Sequence, residues 1–237
     1  MKKRMSSLIT FGLIFCCSSS TWAHPSKQKH VEYVALGDSI AAGMTPYGGY
    51  DESYPDMLRN MFQRSNSKLK DYDNFSISGY LSEQLKDDVE NNSRIRKELR
   101  KATHITITIG ANDLFKKLLS DPSTAQQGIA AASSNLNTTL QTIDELNPKA
   151  DIYIMGYYNP FAYYPEEVQD FLVPLFESLN HEIEVRAIEN GDTYVPTAHV
   201  IGPDFEKYMP NPEDNHLNVK GYKIIAKEFW KVMKKDR

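Results

Sequence analysis

Residues 33–50, YVALGDSIAAGMTPYGGY, carry an apolar run straight into an acid and a hydroxyl, and then into a glycine-rich loop. A buried strand accounts for residues 33–36, which are apolar and β-prone. It has no use for Asp38 and Ser39 at its end. The same arrangement recurs along the chain. The β-prone runs 31–36, 73–77, 104–109, 151–155 and 193–195 predict five strands. Ser78-Gly79 follows the second, Gly110-Ala111-Asn112-Asp113 the third, and Tyr157-Tyr158-Asn159-Pro160-Phe161 the fourth.

Helical patterns lie between these runs. Ile129, Ala132, Leu136, Leu140 and Ile143 recur at helical spacing, and Pro148 ends the segment. Tyr222, Ile225, Phe229 and Val232 give a last helix one apolar stripe, with Asn218 as its cap. Strand-helix alternation predicts an α/β fold, a parallel sheet with helices on both faces. Ligands in such folds bind beyond the carboxyl ends of the strands, where the polar residues above converge.

The 237 residues are enough for one domain with a substantial core, and 41% hydrophobic with 24% charged residues is a globular balance. Residues 1–23 have a basic start, an apolar middle and small residues before Ala23. That is the layout of a secretory signal peptide cut after Ala23, with too short an apolar run to span a bilayer. An uncleaved anchor, or lipid attached at Cys16 or Cys17, ranks below it. Residues 24–30 read as a solvated lead-in and 31–237 as the single domain. Cys16 and Cys17 are the only cysteines, so the exported chain has no disulfide and no thiolate chemistry. Loss of Lys2, Lys3 and Arg4 takes the formal charge from −4 to about −7. This argues against nucleic acid and against anionic lipid as partners.

A serine hydroxyl is a poor nucleophile unless a base takes its proton. His24 and His30 fall in the lead-in, His104 begins a strand away from the expected site, His181 is in a helical segment and His199 in a late loop. His216 stands apart, on a polar loop with Glu213 and Asp214 just before the last helix. An attacked carbonyl develops negative charge that must meet preorganised donors. The N–H groups of Ser39 and Gly79 and the amide of Asn112 supply them. No clustered metal-ligand spacing or phosphate-binding glycine motif is present, so neither metal nor cofactor is expected.

GDSI at 37–40, NFSISGYLS at 74–82, GAND at 110–113 and the segment ending in His216 resemble the four blocks of the SGNH/GDSL hydrolases. LGDSIAAGMTPYGGY and GYYNPFAYYPEE look like the bacterial exported lipase/acylhydrolase branch. The likeness runs from about Val31 to Met233. It implies a three-layer α/β/α sandwich with a parallel, flavodoxin-like sheet. It also implies Ser39 as nucleophile, His216 as base, and Ser39, Gly79 and Asn112 as the oxyanion hole. The family usually has an aspartate three residues before the histidine, where this chain has Glu213; Asp214 lies two before. Asp214 has the usual side-chain length and is preferred as the orienting acid, with Glu213 as the alternative. The expected activity is hydrolysis of small-molecule or lipid esters through an acyl-enzyme. Carbohydrate O-deacetylation and non-catalytic lipid or glycan binding are the rivals. Tyr157, Tyr158, Phe161, Tyr163 and Tyr164 read equally as an acyl-chain wall or as a loop tucked onto the core, and Met44, Tyr47 and Tyr50 likewise.

Overall fold

The computed structural model describes residues 30–65 and 68–234. The expected leader, and all of the lead-in except His30, lie outside the described residues. Strand β1 (His30–Gly37) is buried almost throughout, as a strand covered on both faces should be. It leads into the short helix α1 (Ser39–Ala42), followed by α2 (Tyr54–Arg64), β2 (Lys68–Asn74), α3 (Ser82–Asn91) and α4 (Ser93–Leu99). Then come β3 (His104–Thr108), α5 (Ala111–Ser120), α6 (Ala125–Leu146) and β4 (Asp151–Gly156). The chain closes with α7 (Glu166–Asn190), β5 (Thr193–Pro196), the short α8 (Ala198–Ile201) and α9 (Phe205–Tyr208), and α10 (Val219–Met233).

The sheet order is β2-β1-β3-β4-β5, with every neighbouring pair parallel. This is the flavodoxin-like order, whose direction of winding reverses between β1 and β3 and opens a crevice there. Helices α2 and α10 pack together on one face, and α3, α6 and α7 cover the other. Among the described residues no helix is long and apolar enough to cross a membrane.

The expected strand at 73–77 is corrected to Lys68–Asn74. As the edge strand β2 needs no continuous apolar run, and only Leu69 and Tyr72 of its apolar residues pack on the core. The apolar run that suggested the later position still follows β1, since the Phe75 N–H donates to Ala35 O and the Ile77 N–H to Gly37 O, both at 2.9 Å.

Of the apolar stripes, all five α6 residues are buried, as are Tyr222, Ile225 and Phe229 of α10. Each large side chain of this kind is worth about 1.5–3 kcal/mol of transfer free energy. Asn218 caps α10, accepting from the Gly221 N–H at 3.1 Å. Helix α10 starts beside the crevice, where the Tyr222 hydroxyl donates to Met44 O at 2.6 Å. It ends at the opposite edge: Trp230 packs on Phe62 at 5.1 Å, and Phe62 on His104, the first residue of β3, at 5.0 Å. β1 enters the sheet at that same far edge.

Candidate active site

The site is built where β1 gives way to α1. Gly37 has φ +150°, and a Cβ there would sit 2.4 Å from the carbonyl oxygen of Thr108. Only glycine lets the end of β1 press this closely on β3. The Asp38 N–H then donates to Thr108 O at 2.9 Å. Asp38 caps α1 by accepting the Ile40 N–H at 3.0 Å. Ser39 is the first residue of the helix, so its N–H has no intrahelical acceptor.

Ser39 Oγ lies 2.8 Å from His216 Nε2, and His216 Nδ1 lies 2.7 Å from Asp214 Oδ1. An ionised carboxylate can only accept, so Nδ1 carries the proton and Nε2 is free to accept from Ser39. The same Asp214 oxygen accepts the backbone N–H of His216, also at 2.7 Å. A turn closed by the Asp214 N–H on Asn211 O at 3.2 Å brings this about. The tight turn is what makes an offset of two residues sufficient. Glu213 is exposed at its rim. Leu217, which follows the histidine, is fully buried.

Gly79 occupies the third position of a turn in which the Tyr80 N–H meets Ile77 O at 3.1 Å. Its φ of +79° is what a type II turn demands there. Asn112 lies in the first turn of α5 and donates one amide hydrogen to Tyr80 O at 2.9 Å. That bond ties α5 to the Gly79 turn and leaves the second amide hydrogen for the cavity. Asp113 turns away and accepts the Ser82 N–H at 2.9 Å and the Ser82 hydroxyl at 2.7 Å. It thus holds the start of α3 and works as a fastening between loops.

Ser39, Gly79, Asn112 and His216 all line one cavity of about 270 Å³, and Asp214 stands behind His216. The apolar wall includes Ile40, Met44, Phe115, Tyr157, Pro160 and Phe176. The aromatic segment after β4 therefore divides between the two readings. Tyr157 and Tyr158 face the cavity, whereas Phe161 packs at 5.2 Å on Phe176. Tyr164 is largely exposed, and so are Tyr47 and Tyr50 on the loop after Met44.

Asp38 and Asn180, to which sequence reasoning gave no role, hold this arrangement together with Tyr157, which it read only as cavity wall or core. Asp38 is 1% exposed, and its Oδ2 accepts the Tyr157 hydroxyl at 2.5 Å. Burial raises its carboxyl pKa from 3.8 to about 6, against the lowering effect of Tyr157 and the Ile40 N–H. Asn180 clamps the Tyr157 backbone, accepting its N–H at 2.7 Å and donating to its carbonyl at 2.8 Å. The position of Asp38 beside Ser39 was a usable signal; the 119 residues to Tyr157 concealed its partner. Away from the site, the carboxylates of Asp71, Asp73 and Glu98 gather within 4.8 Å. Arg94 is ion-paired with Asp73, Lys101 with Asp71 and Glu98, and Lys97 with Glu98.

The sequence profile of the GDSL-like lipase/acylhydrolase family matches residues 35–224. An uncharacterised Bacillus subtilis protein, YpmR, is 26% identical over 98% of this chain and 95% of its own. The fold is similar to that of the lipase Lip_vut3 from a goat rumen metagenome, with a TM-score of 0.72 at 19% identity over 85% of this chain and 96% of that one. It is also similar to the acetylxylan esterase Axe2 of Geobacillus stearothermophilus, with a TM-score of 0.65 at 17% identity over 86% and 94% of the two chains. With four motif blocks gathered around one crevice of a flavodoxin-like sheet, the chain belongs to the GDSL-like lipase/acylhydrolase family and is an ester-cleaving hydrolase.

Proposed function

We propose that the protein is an exported serine esterase of lipase-like character, working through an acyl-enzyme on Ser39. The observation that carries this reading is the continuous relay from Ser39 Oγ through His216 to Asp214, at 2.8 and 2.7 Å. Ser39 attacks the ester carbonyl as His216 Nε2 takes its proton. Asp214 holds the ring in the required tautomer and stabilises the imidazolium that forms. The oxyanion is received by the N–H groups of Ser39 and Gly79 and by the Asn112 amide. His216 then protonates the departing alcohol, and water, activated by the same imidazole, releases the acid and regenerates Ser39. Nothing in this cycle requires a metal or cofactor.

The apolar wall beside Ser39 supports an acyl group as the part enclosed. Removal of acetyl groups from a glycan is the second reading, favoured by exposed Tyr47 and Tyr50, whose rings combine an apolar face with a hydroxyl, on a loop that Asn211 fastens at Pro46 O. Export rests on the layout of residues 1–23, and N-terminal sequencing of protein recovered outside the cytoplasm tests it. The mechanism is tested with a nitrophenyl ester and a serine-reactive phosphonate. Ser39→Ala abolishes turnover and labelling while the fold is retained. Labelling at another residue, with activity retained in the variant, refutes the mechanism.

A further inference from the structure

Tyr157 and Tyr158 follow one another off the end of β4, and each takes hold of a residue adjoining the catalytic pair. The Tyr157 hydroxyl donates to Asp38 Oδ2 at 2.5 Å, one residue before Ser39. The Tyr158 hydroxyl donates to the carbonyl oxygen of Asn215 at 2.8 Å, one residue before His216. Asn180 of α7 anchors both, because it accepts the Tyr157 N–H and donates to the Tyr157 carbonyl. The peptide groups on either side of Tyr157 are thereby fixed. Nucleophile and base, 177 residues apart in sequence, are referred to one dipeptide at a strand end.

The Tyr158 bond acts on a rigid unit. A peptide group is planar, and the one joining Asn215 to His216 is gripped at both edges. Its oxygen accepts from Tyr158 at 2.8 Å, and its N–H donates to Asp214 Oδ1 at 2.7 Å. That plane carries the His216 Cα, so its tilt sets where the imidazole points. Asp214 belongs to the same loop and would move with it, whereas Tyr158 refers the plane to the sheet. Both tyrosine rings line the cavity. A phenol has one hydrogen to donate, and in each ring that hydrogen is already given to protein. Neither hydroxyl is left as a donor toward substrate.

We propose that Tyr158 is a positioning residue for the base. Through the Asn215 carbonyl it holds the His216 ring at the 2.8 Å from Ser39 Oγ that proton transfer needs. This rests on the esterase reading of Ser39 and His216, and adds to it a residue that acts on the base through the backbone. Acylation and deacylation both pass a proton through His216, so loosening this hold slows each of them.

The test is Tyr158→Phe, which deletes the hydroxyl and keeps the buried ring. Tyr163→Phe is the control, since the Tyr163 hydroxyl donates to Met209 O at 2.8 Å. That is a bond of the same kind, from the same segment, to the start of the loop that carries His216. A misplacement of about 1 Å costs on the order of 100-fold in rate. With Asp214 still gripping the peptide, kcat for nitrophenyl butanoate is expected to fall about 10-fold in Tyr158→Phe, with KM within about twofold. The rate at which a phosphonate labels Ser39 falls with it, and the His216 Nδ1–H resonance shifts in proton NMR. In Tyr163→Phe the rate and the resonance hold, although both variants melt at a lower temperature. An unchanged kcat in Tyr158→Phe, a raised KM at constant kcat, or an equal loss in Tyr163→Phe overturns the positioning role. If the wild type turns over no ester, the esterase reading falls instead and the resonance decides. A shift confined to Tyr158→Phe then upholds the hold on His216, and no shift overturns it.

Discussion

Replacing Asp214 by asparagine separates the two things this side chain does. Its Oδ1 accepts both the His216 backbone N–H and the ring Nδ1–H, each at 2.7 Å. In Asp214→Asn the backbone N–H still selects the amide oxygen for that position. The same oxygen then still accepts from Nδ1, and the tautomer that leaves Nε2 facing Ser39 is kept. What disappears is the negative charge. A hydrogen bond to a charged group is worth about 1.5–3 kcal/mol, and Asp214 and His216 side chains are 28% and 14% exposed, so solvent trims this. The expected fall in kcat is about 10- to 100-fold. Where an equivalent substitution reverses the tautomer, the loss is about 10,000-fold. Asp214→Ala removes the acceptor altogether, frees the ring, and should approach that larger figure. Glu213→Gln, on the exposed rim, should stay within twofold. Initial rates on nitrophenyl butanoate, corrected by phosphonate titration of active protein, measure all three. A 10,000-fold loss in Asp214→Asn refutes the idea that the backbone N–H holds the oxygen, and a greater loss in Glu213→Gln transfers the role to Glu213.

Asn112→Ala should lower kcat by about 100- to 1,000-fold with little change in KM, since the oxyanion it meets exists mainly in the transition state; a raised KM with kcat unchanged would make it a substrate-binding group. Asp38 binds its proton more tightly in the folded chain, with a carboxyl pKa of about 6 against 3.8, so its contribution to stability is greatest at low pH and falls as pH rises from about 4 to about 6. Asp38→Asn does not titrate, and in denaturant melts its stability relative to the wild type should rise across that window by about 3 kcal/mol and level off above it; a flat difference would refute the shift. Gly37→Ala should fail to fold, because its Cβ meets backbone at 2.4 Å, whereas Gly79→Ala meets nothing within 4 Å and should fold at a cost of about 1–2 kcal/mol for its positive φ. Circular dichroism of both checks the contrast.

Strands β1 and β4 were legible because a strand covered on both faces must be apolar almost throughout, as residues 33–36 and 152–155 are, and β3 because Ile105, Ile107 and Ile109 alternate with threonine over too short a stretch for a helix. β2 escaped for the converse reason: an edge strand such as KLKDYDN is set by its pairing with β1, which leaves little mark on composition. Within the site, residues read from strand ends lay where the alternation predicted, because parallel winding delivers every such end to one edge. The offset of Asp214 could not be read from spacing, since it depends on the turn closed at Asn211. Nor could the bond from Tyr157 to Asp38, which exists only once β1 and β4 share a sheet. The aromatic segment was ambiguous for a physical reason, as Tyr157 faces the cavity and a buried carboxylate at once.

Helix α10 has a practical meaning for anyone handling the protein. It begins three residues after His216 and, at about 1.5 Å per residue, its 15 residues carry the chain roughly 22 Å to the far edge of the sheet. β1 starts at that same edge. A linker to a bead, a chip or a fusion partner, joined at either end of residues 30–234, therefore leaves from the side facing away from the cavity mouth. The immobilised enzyme would turn its open side to bulk solution and keep the cavity accessible to an ester from it. Grafting at the loops after β1 or β3 would instead block the entrance.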